Sequence, residues 1–452
     1  MSSGCGSSSG PAAGSASSTT VRSEPVSGRD DRAPTEAEQA TDPDADAADA
    51  DPATTATSTP GTGPIPGDAV VTGAQVLVGD GFGPLLGRRV GLIANRASTV
   101  DGERLIDRLN DHPDVELVAI FAPEHGVEAV DGAGEIVLDG VDEVTGVPVQ
   151  SLYDDDRAPA ADVLAELDIL VFDLQDAGAR FYTYVSTLGL AMQAAADAEV
   201  PMLVLDRPNP LGGNQADGPI LVDDQRSFVG LYPVPALTGL TIGELALAIW
   251  GEGWLDGVDG LELEVIGLQG WDRSQRWDDT GLAWTAPSPG LPEAELALLY
   301  PSTVFLEAST LSFGRGSDRP FGQFGAPWLD ASAMVDRLEA AGLAGVAFEE
   351  VVFADATDPA IPGVRLTVTD PATIRPLAIG VHILHHLLAV HGDQEVIDRP
   401  DFLDLLAGSS ALRDDLEAGR DPAAIVESWS DDLAAWSTLS APYQLYPDQP
   451  GG

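Results

Sequence analysis

Residues 168–184 read DILVFDLQDAGARFYTY, and their first half decides the fold. Ile169, Leu170, Val171 and Phe172 leave no polar face, which describes a strand covered on both sides rather than one that alternates. Working outward, PAADVLAEL (159–167) and YVSTLGLAMQAAADAE (184–199) carry helical periodicity on either side, and PMLVLD (201–206) is again a buried-strand run. The same alternation holds upstream in RRVGLIAN (88–95), GERLIDRLND (102–111) and VELVAIF (115–121). It continues downstream in TIGELALAIWGEG (241–253) and LELEVIGL (261–268). Buried strands separated by helices imply a parallel sheet with helices on both faces. The expectation is an α/β, Rossmann-like doubly wound domain over residues 68–292.

From about residue 293 the texture changes. LSFGRGSDRPFGQFGAPW (311–328) is rich in Gly, Arg and aromatics, GVRLTVTD (363–370) reads as a strand, and IRPLAIGVHILHHLLAVHG (374–392) as a helix. This predicts a smaller α+β auxiliary domain over 293–452. Residues 1–67 are Ser, Ala, Thr, Pro, Gly and Asp, a composition that buries too little apolar surface to offset chain entropy; they read as a flexible acidic tether.

The formal net charge is −51 and the chain has no lysine, so its 22 basic residues are all arginine. A nucleic-acid partner is excluded by the charge, and Walker A, PLP and Ser-x-x-Lys chemistries by the missing lysine. No GxSxG, HExxH or GxGxxG motif follows a strand, and no cofactor is expected. His382, His385, His386 and His391 lie on one helical stretch, but it is apolar between them and supplies no carboxylate, so no metal is expected. The single cysteine, Cys5, follows Ser3-Gly4 as at the end of a bacterial lipoprotein signal, without the apolar segment that precedes such a signal. The expectation is a secreted or lipid-anchored, extracytoplasmic protein whose start codon is assigned late, with an incidental Cys5 as the alternative.

In open α/β sheets ligands bind beyond the carboxyl ends of the strands. There the sequence places Asn95 after the first strand and Glu124-His125 after the second, in FAPEHG. Asp173, Gln175, Asp176, Arg180 and Tyr182 follow the third, and Asn209 the fourth. Each alone fits turn chemistry; jointly they place carboxylates, arginine and tyrosine at one rim, which suits a sugar. Glu124 lies between Pro123, which fixes the backbone, and Gly126, which allows close approach. It is the lead catalytic acid, with His125 to orient it and Asp176 as the next carboxylate. Asp173 reads equally as a structural anchor. In LEASTLSFGRGSDRPF, Glu307, Arg315 and Arg319 are substrate-binding candidates, arginine being the residue that grips a carboxylate with two hydrogen bonds.

Taken in order, VGLIANRAS, FAPEHGVEAVDGAGE, TGVPVQSLY, VFDLQDAGARFYTYVSTL, VLDRPNPLGG, PSPGLP, YPSTVFLEAST and GRGSDRPFGQFGAPW resemble the successive blocks of the exo-lytic β-N-acetylmuramidase family (NamZ-type, glycoside hydrolase family 171). The resemblance covers about residues 88–447. It implies a Rossmann-like domain bearing the active site, an auxiliary domain, and hydrolysis of non-reducing terminal N-acetylmuramic acid from peptidoglycan fragments. It places the family's acid on Glu124, and the lactyl carboxylate of muramic acid gives Arg180, Arg315 and Arg319 a reason to be present. The substrate's own 2-acetamido group is an alternative to a second carboxylate as nucleophile. Two departures are plain: Arg96-Ala97 stands where Thr-Gly is usual, and Gly290 where Asn is usual. They keep two other readings open, a non-catalytic muramyl-glycan binding lipoprotein and another cell-wall hydrolase on the same scaffold.

Overall fold

The computed structural model describes residues 57–59, 69–153, 157–255 and 257–448. Cys5 and nearly all of the expected tether lie outside them. The described residues fall within one compact unit.

The main sheet is built, in chain order, from β1 (Thr57–Thr59), β2 (Arg89–Ala94), β3 (Glu116–Ala122), β4 (Gly140–Val141), β5 (Pro148–Ser151), β6 (Ile169–Asp173), β7 (Met202–Leu205) and β8 (Leu263–Ile266). Their spatial order is β1-β8-β7-β6-β2-β3-β5-β4, and all neighbours are parallel except β4 with β5. Without the two edge strands this is the Rossmann order, whose reversal falls between β2 and β6. The expected tether is corrected at one point: Thr57–Thr59 pairs with Glu264–Ile266 as an edge strand. A sheet edge accepts any short extended segment that satisfies its open backbone groups.

The continuous apolar runs behave as strands covered on both faces: β6 and β7 are buried throughout. One face is closed by α1 (Gly73–Gly79) and α2 (Leu105–Asn110), whose Leu77, Leu105 and Leu109 pack on Val90, Leu92 and Val171. The other is closed by α4 (Tyr184–Asp197) and α5 (Ile242–Gly251), with the short α3 (Ala161–Leu164) between β5 and β6. Local sequence sets these helix starts. TGAQ and TIGE form capping boxes at Thr72/Gln75 and Thr241/Glu244, each satisfying two backbone N–H groups that the first turn leaves open.

The C-terminal part contains α6 (Ala294–Thr303), β9 (Gln323–Gly325), α7 (Ala331–Ala340), β10 (Val346–Phe353), β11 (Ile361–Val368), α8 (Pro376–Val390) and α9 (Pro400–Ala407). Its antiparallel sheet runs β9-β11-β10. Its apolar residues, among them Phe305, Val364 and Leu384, join the core cluster that covers β6 and α4. Polar ties bring the chain end back to the first domain: Leu445 N–H donates to Glu244 at 2.8 Å, Tyr446 OH to Asp206, and Arg273 N–H to the Pro447 carbonyl at 2.9 Å. The histidines of α8 lie close together, His386 with its ring 5.2 Å from that of His385 and 5.8 Å from that of His382. Among the described residues no group of three or more His, Cys, Asp or Glu is placed to hold a metal.

Candidate active site

Beyond the carboxyl ends of β3 and β6 lies a cavity of about 610 Å³. Glu124 stands in its wall, immediately after β3. The turn that follows is unusual: His125 (φ +75°), Gly126 (φ +76°) and Ala129 (φ +50°) all adopt left-handed backbone. Such conformations cost energy in a non-glycine residue and persist where the surroundings enforce them. Here the enforcement is a knot of hydrogen bonds. Val130 and Asp131 N–H both donate to the His125 carbonyl, at 3.1 and 3.2 Å, and Gly126 N–H donates to Pro123 at 3.0 Å. The His125 ring closes the same knot through Nδ1, 2.8 Å from the Asp131 carbonyl. A carbonyl only accepts, so Nδ1 carries the proton, and among the described residues Nε2 makes no hydrogen bond at the cavity wall that His125 lines.

The Glu124 side chain is 5% exposed and held at both oxygens. Gly134 N–H donates to Oε1 at 3.0 Å, and the Thr183 hydroxyl to Oε2 at 2.7 Å. Thr183 stands at the start of α4, so the carboxylate is fixed by the loop after its own strand and by the loop after β6. Beneath it, Tyr184 OH donates to the Pro287 carbonyl at 2.7 Å, and Asn95 Nδ2 donates to Tyr184 OH at 2.8 Å. Tyr153 also faces Glu124; burial and then the Glu124 charge push its phenol up to about 12, so it stays a hydrogen-bond donor at neutral pH. The aromatic lining comprises Tyr153, Phe181, Tyr182, Phe228, Tyr300, Phe321 and Phe402. Tyr300 packs edge-on against Phe321 at 4.7 Å and Phe181 at 5.3 Å.

A second carboxyl group lines the cavity. Glu307 is paired with Arg315 at 3.1 Å, and burial raises its pKa against the opposing pull of Arg315 and Arg399. Three arginines line the cavity: Arg157, Arg315 and Arg399. Arg315 is among the residues picked from sequence; Arg157 and Arg399 are not. Arg157 lies over the Phe228 ring at 4.3 Å and Arg399 over Phe402 at 5.1 Å.

Of the other residues singled out by sequence, Tyr182 lines the cavity and the rest stand outside its lining. Asn95 accepts from Ala97 N–H at 3.0 Å while supporting Tyr184. Asp173 is fully buried in a two-pronged ion pair with Arg207, at 2.6 and 3.0 Å. Gln175 donates to the Asp176 and Pro208 carbonyls, and Asn209 accepts from Leu211 N–H and donates to Leu240. Asp176 accepts from Gly178 N–H at 2.6 Å, and burial lifts its pKa to about 7. Arg180 is fully buried and donates to the carbonyls of Pro219, Val234 and Leu406; burial lowers its pKa to about 9. Arg319 pairs with Glu295 at 3.0 Å. Gly290, one of the two departures, lines the cavity, and Arg96, the other, is exposed and does not.

A Rossmann-type sheet that ends in a buried, doubly hydrogen-bonded carboxylate over an aromatic, arginine-bearing cavity defines an α/β protein with a candidate ligand site at the carboxyl ends of its strands. Residues 90–295 match the family model for the N-terminal part of exo-β-N-acetylmuramidase NamZ, and residues 298–446 match the model for its C-terminal part. The chain belongs to the NamZ exo-β-N-acetylmuramidase family. It is 38% identical over 383 residues to the peptidoglycan β-N-acetylmuramidase NamZ of Bacillus subtilis strain 168, covering 83% of this chain and 91% of that protein. Two crystal structures of DUF1343 family proteins from Bacteroides fragilis share its fold. One has TM-score 0.78 at 35% identity and covers 84% of this chain and 100% of its own. The other has TM-score 0.67 at 30% identity and covers 84% and 99%.

Proposed function

We propose that this chain is an exo-β-N-acetylmuramidase that hydrolyses the bond of a non-reducing terminal N-acetylmuramic acid in peptidoglycan fragments, in cell-wall turnover. Family membership over both parts of the chain supports the reaction, and the observation that carries the site is the placement of Glu124. A general acid must reach the glycosidic oxygen from a fixed position. Glu124 is held by Gly134 and Thr183 and opens on a cavity large enough for a sugar ring. In this reading Glu124 delivers a proton to the leaving oxygen and then takes one from the water that replaces it. The aromatic residues cover the sugar, and His125 Nε2 and the Tyr153 hydroxyl engage its polar groups.

Glu307 takes the place of Asp176 as the second carboxyl group to consider, since it lines the cavity and Asp176 does not. With Glu124 serving as acid and then as base, the role open to Glu307 is to take the anomeric carbon as the leaving oxygen departs, until water displaces it. Nucleophilic attack by the substrate's 2-acetamido group would leave Glu307 an arginine-orienting role. Peptidoglycan lies outside the cytoplasmic membrane, which supports the reading of an extracytoplasmic protein; anchorage through a lipidated Cys5 is part of the proposal and is tested by metabolic labelling with a palmitate analogue and loss of the label in Cys5→Ala.

The test of the activity is release of 4-nitrophenol from its β-N-acetylmuramide. Wild type turns over, and on a muramyl disaccharide, whose sugar leaving oxygen needs the proton that 4-nitrophenolate does not, Glu124→Gln loses about 10³-fold or more in kcat, the scale of a lost general acid with its transition-state contacts. An inert wild type that binds a muramyl disaccharide makes this a binding protein. Near-normal turnover by Glu124→Gln removes that residue from the reaction.

A further inference from the structure

A chain with 73 acidic and 22 basic residues has, lining this one cavity, Arg157, Arg315 and Arg399 against Glu124 and Glu307. That local excess of cation in a protein of net charge −51 marks the place where an anionic group of a ligand is received. The three arginines are not equivalent. Arg315 spends a guanidinium nitrogen on Glu307 at 3.1 Å and lies over Phe313 at 4.9 Å. Arg157 lies over Phe228 and Tyr153, at 4.3 and 5.4 Å, on the side of the cavity where Tyr153 feels the charge of Glu124. Arg399 is different. Its nearest carboxylate is Asp398 at 3.9 Å, and among the described residues its guanidinium makes no hydrogen bond. It lies over Phe402, which also lines the cavity, with about half its side chain exposed.

We propose that Arg399 is the specificity residue that receives the lactyl carboxylate of the muramic acid, with Arg315 locked by Glu307 as a supporting charge. This rests on the muramidase reading above. The state of the two guanidiniums favours this assignment over Arg157. The leaving oxygen is on C1 and the lactyl ether on C3, with C2 between them, so the two equatorial groups diverge and are read by different side chains. Arg157 already holds an interaction of its own, whereas Arg399 stands beside Glu307 and Arg315 with only Asp398, at 3.9 Å, as a carboxylate neighbour. A guanidinium with its fork open matches a carboxylate with two parallel hydrogen bonds. A loop residue immediately before α9 also brings this contact from the C-terminal part, so both parts of the chain meet one sugar.

The test pairs a change in the protein with a change in the substrate. The 4-nitrophenyl β-N-acetylmuramide is compared with its lactyl primary amide, which has the same shape and no charge. For wild type the acid is expected to exceed the amide in kcat/KM by about 30- to 100-fold, the scale of a charge-assisted two-pronged contact. In Arg399→Met that ratio falls to within about threefold of unity, mostly through KM, while Arg315→Met keeps most of it. Arg399→Lys, a charge without the fork, is intermediate. Because each ratio is internal to one variant, partial misfolding does not alter it. A ratio in Arg399→Met equal to that of wild type overturns the proposal, as does collapse of the ratio in Arg315→Met alone. If wild type hydrolyses neither substrate, the hydrolase reading fails; the same ratio is then taken from dissociation constants of N-acetylmuramic acid and its lactyl amide, and the role of Arg399 stands or falls on it separately.

Discussion

The hydroxyl of Thr183 donates a hydrogen bond of 2.7 Å to Oε2 of Glu124, joining the loop after β6 to the acid that follows β3. Thr183 touches no substrate in this role; it positions the carboxylate. A hydrogen bond to a charged group contributes about 1.5–3 kcal/mol, so Thr183→Val is expected to lower kcat about 10- to 100-fold with little change in KM. Thr183→Ser keeps the donor and should restore most of the rate. Equal losses in both variants in steady-state kinetics would show that the methyl packing, rather than the hydroxyl, is what matters.

Arg180 is expected to govern stability rather than recognition. Its guanidinium is buried, and three backbone carbonyls stand where a carboxylate would be expected. One of them belongs to Leu406 of α9, which lines the cavity with Phe402. Arg180→Met removes the buried charge but takes the guanidinium donor from the Pro219 and Leu406 carbonyls, at about 1–3 kcal/mol for each group that water cannot reach, while the Val234 carbonyl keeps Leu221 N–H at 3.2 Å. Urea denaturation should show a loss of about 3 kcal/mol or more, while the preference for the acid over the amide substrate stays at the wild-type value.

These two residues show what the sequence made legible. The α/β order was readable because strands buried on both faces carry continuous apolar runs, as in ILVF (169–172), and helices between them keep their own period. Strand ends were therefore placed, and with them Glu124, His125 and Tyr182. Polar residues at strand ends serve two purposes, though. Some line the cavity; others tie loops together, Asp173 by pairing with the Arg207 side chain and Asn209 by pairing with backbone groups of Leu211 and Leu240 that would otherwise be buried unpaired. In one sequence the two kinds look alike. Arg157 and Arg399 carried no motif at all, because what brings them to the cavity is the packing of distant segments. Arg180 and Arg319, picked for the same reason as Arg315, turn out to serve a backbone cluster and Glu295.

Gly290 is where the chain departs from the pattern it resembles, and its surroundings leave little room for a side chain. A Cβ at this position would stand 3.1 Å from the edge of the Phe321 ring, which itself lies in left-handed backbone at φ +60°. Phe321 thus closes the space into which a side chain at 290 would grow. Gly290→Asn is expected to raise KM about 5- to 30-fold, because displacing a packed ring costs about 1–2 kcal/mol. Steady-state kinetics on the muramide check it; an improved kcat/KM would mean that the ring yields and that the missing amide was limiting.

Asp176 gives a pH dependence whose sign can be worked out. Burial raises its pKa from an ordinary 3.8 to about 7 in the folded chain. Between those values the folded state keeps a proton that the unfolded state has released, so this group's contribution to stability falls as pH rises through the window. Below about 4 and above about 7 that contribution is level. Asp206, raised to about 7 by the same cause, slopes the same way, so wild type alone does not isolate Asp176. Asp176→Asn does. Its amide oxygen still accepts from Gly178 N–H, the bond that holds the carboxylate at 2.6 Å, and it has no charge to bury. The difference in stability between variant and wild type should therefore move in favour of the variant from pH 5 to pH 8, by on the order of 2 kcal/mol, since each tenfold change in proton affinity is worth about 1.4 kcal/mol. Paired urea melts at the two pH values measure it. A difference that stays constant would mean that Asp176 is ionised across the whole range, with water or a rearranged loop solvating its charge.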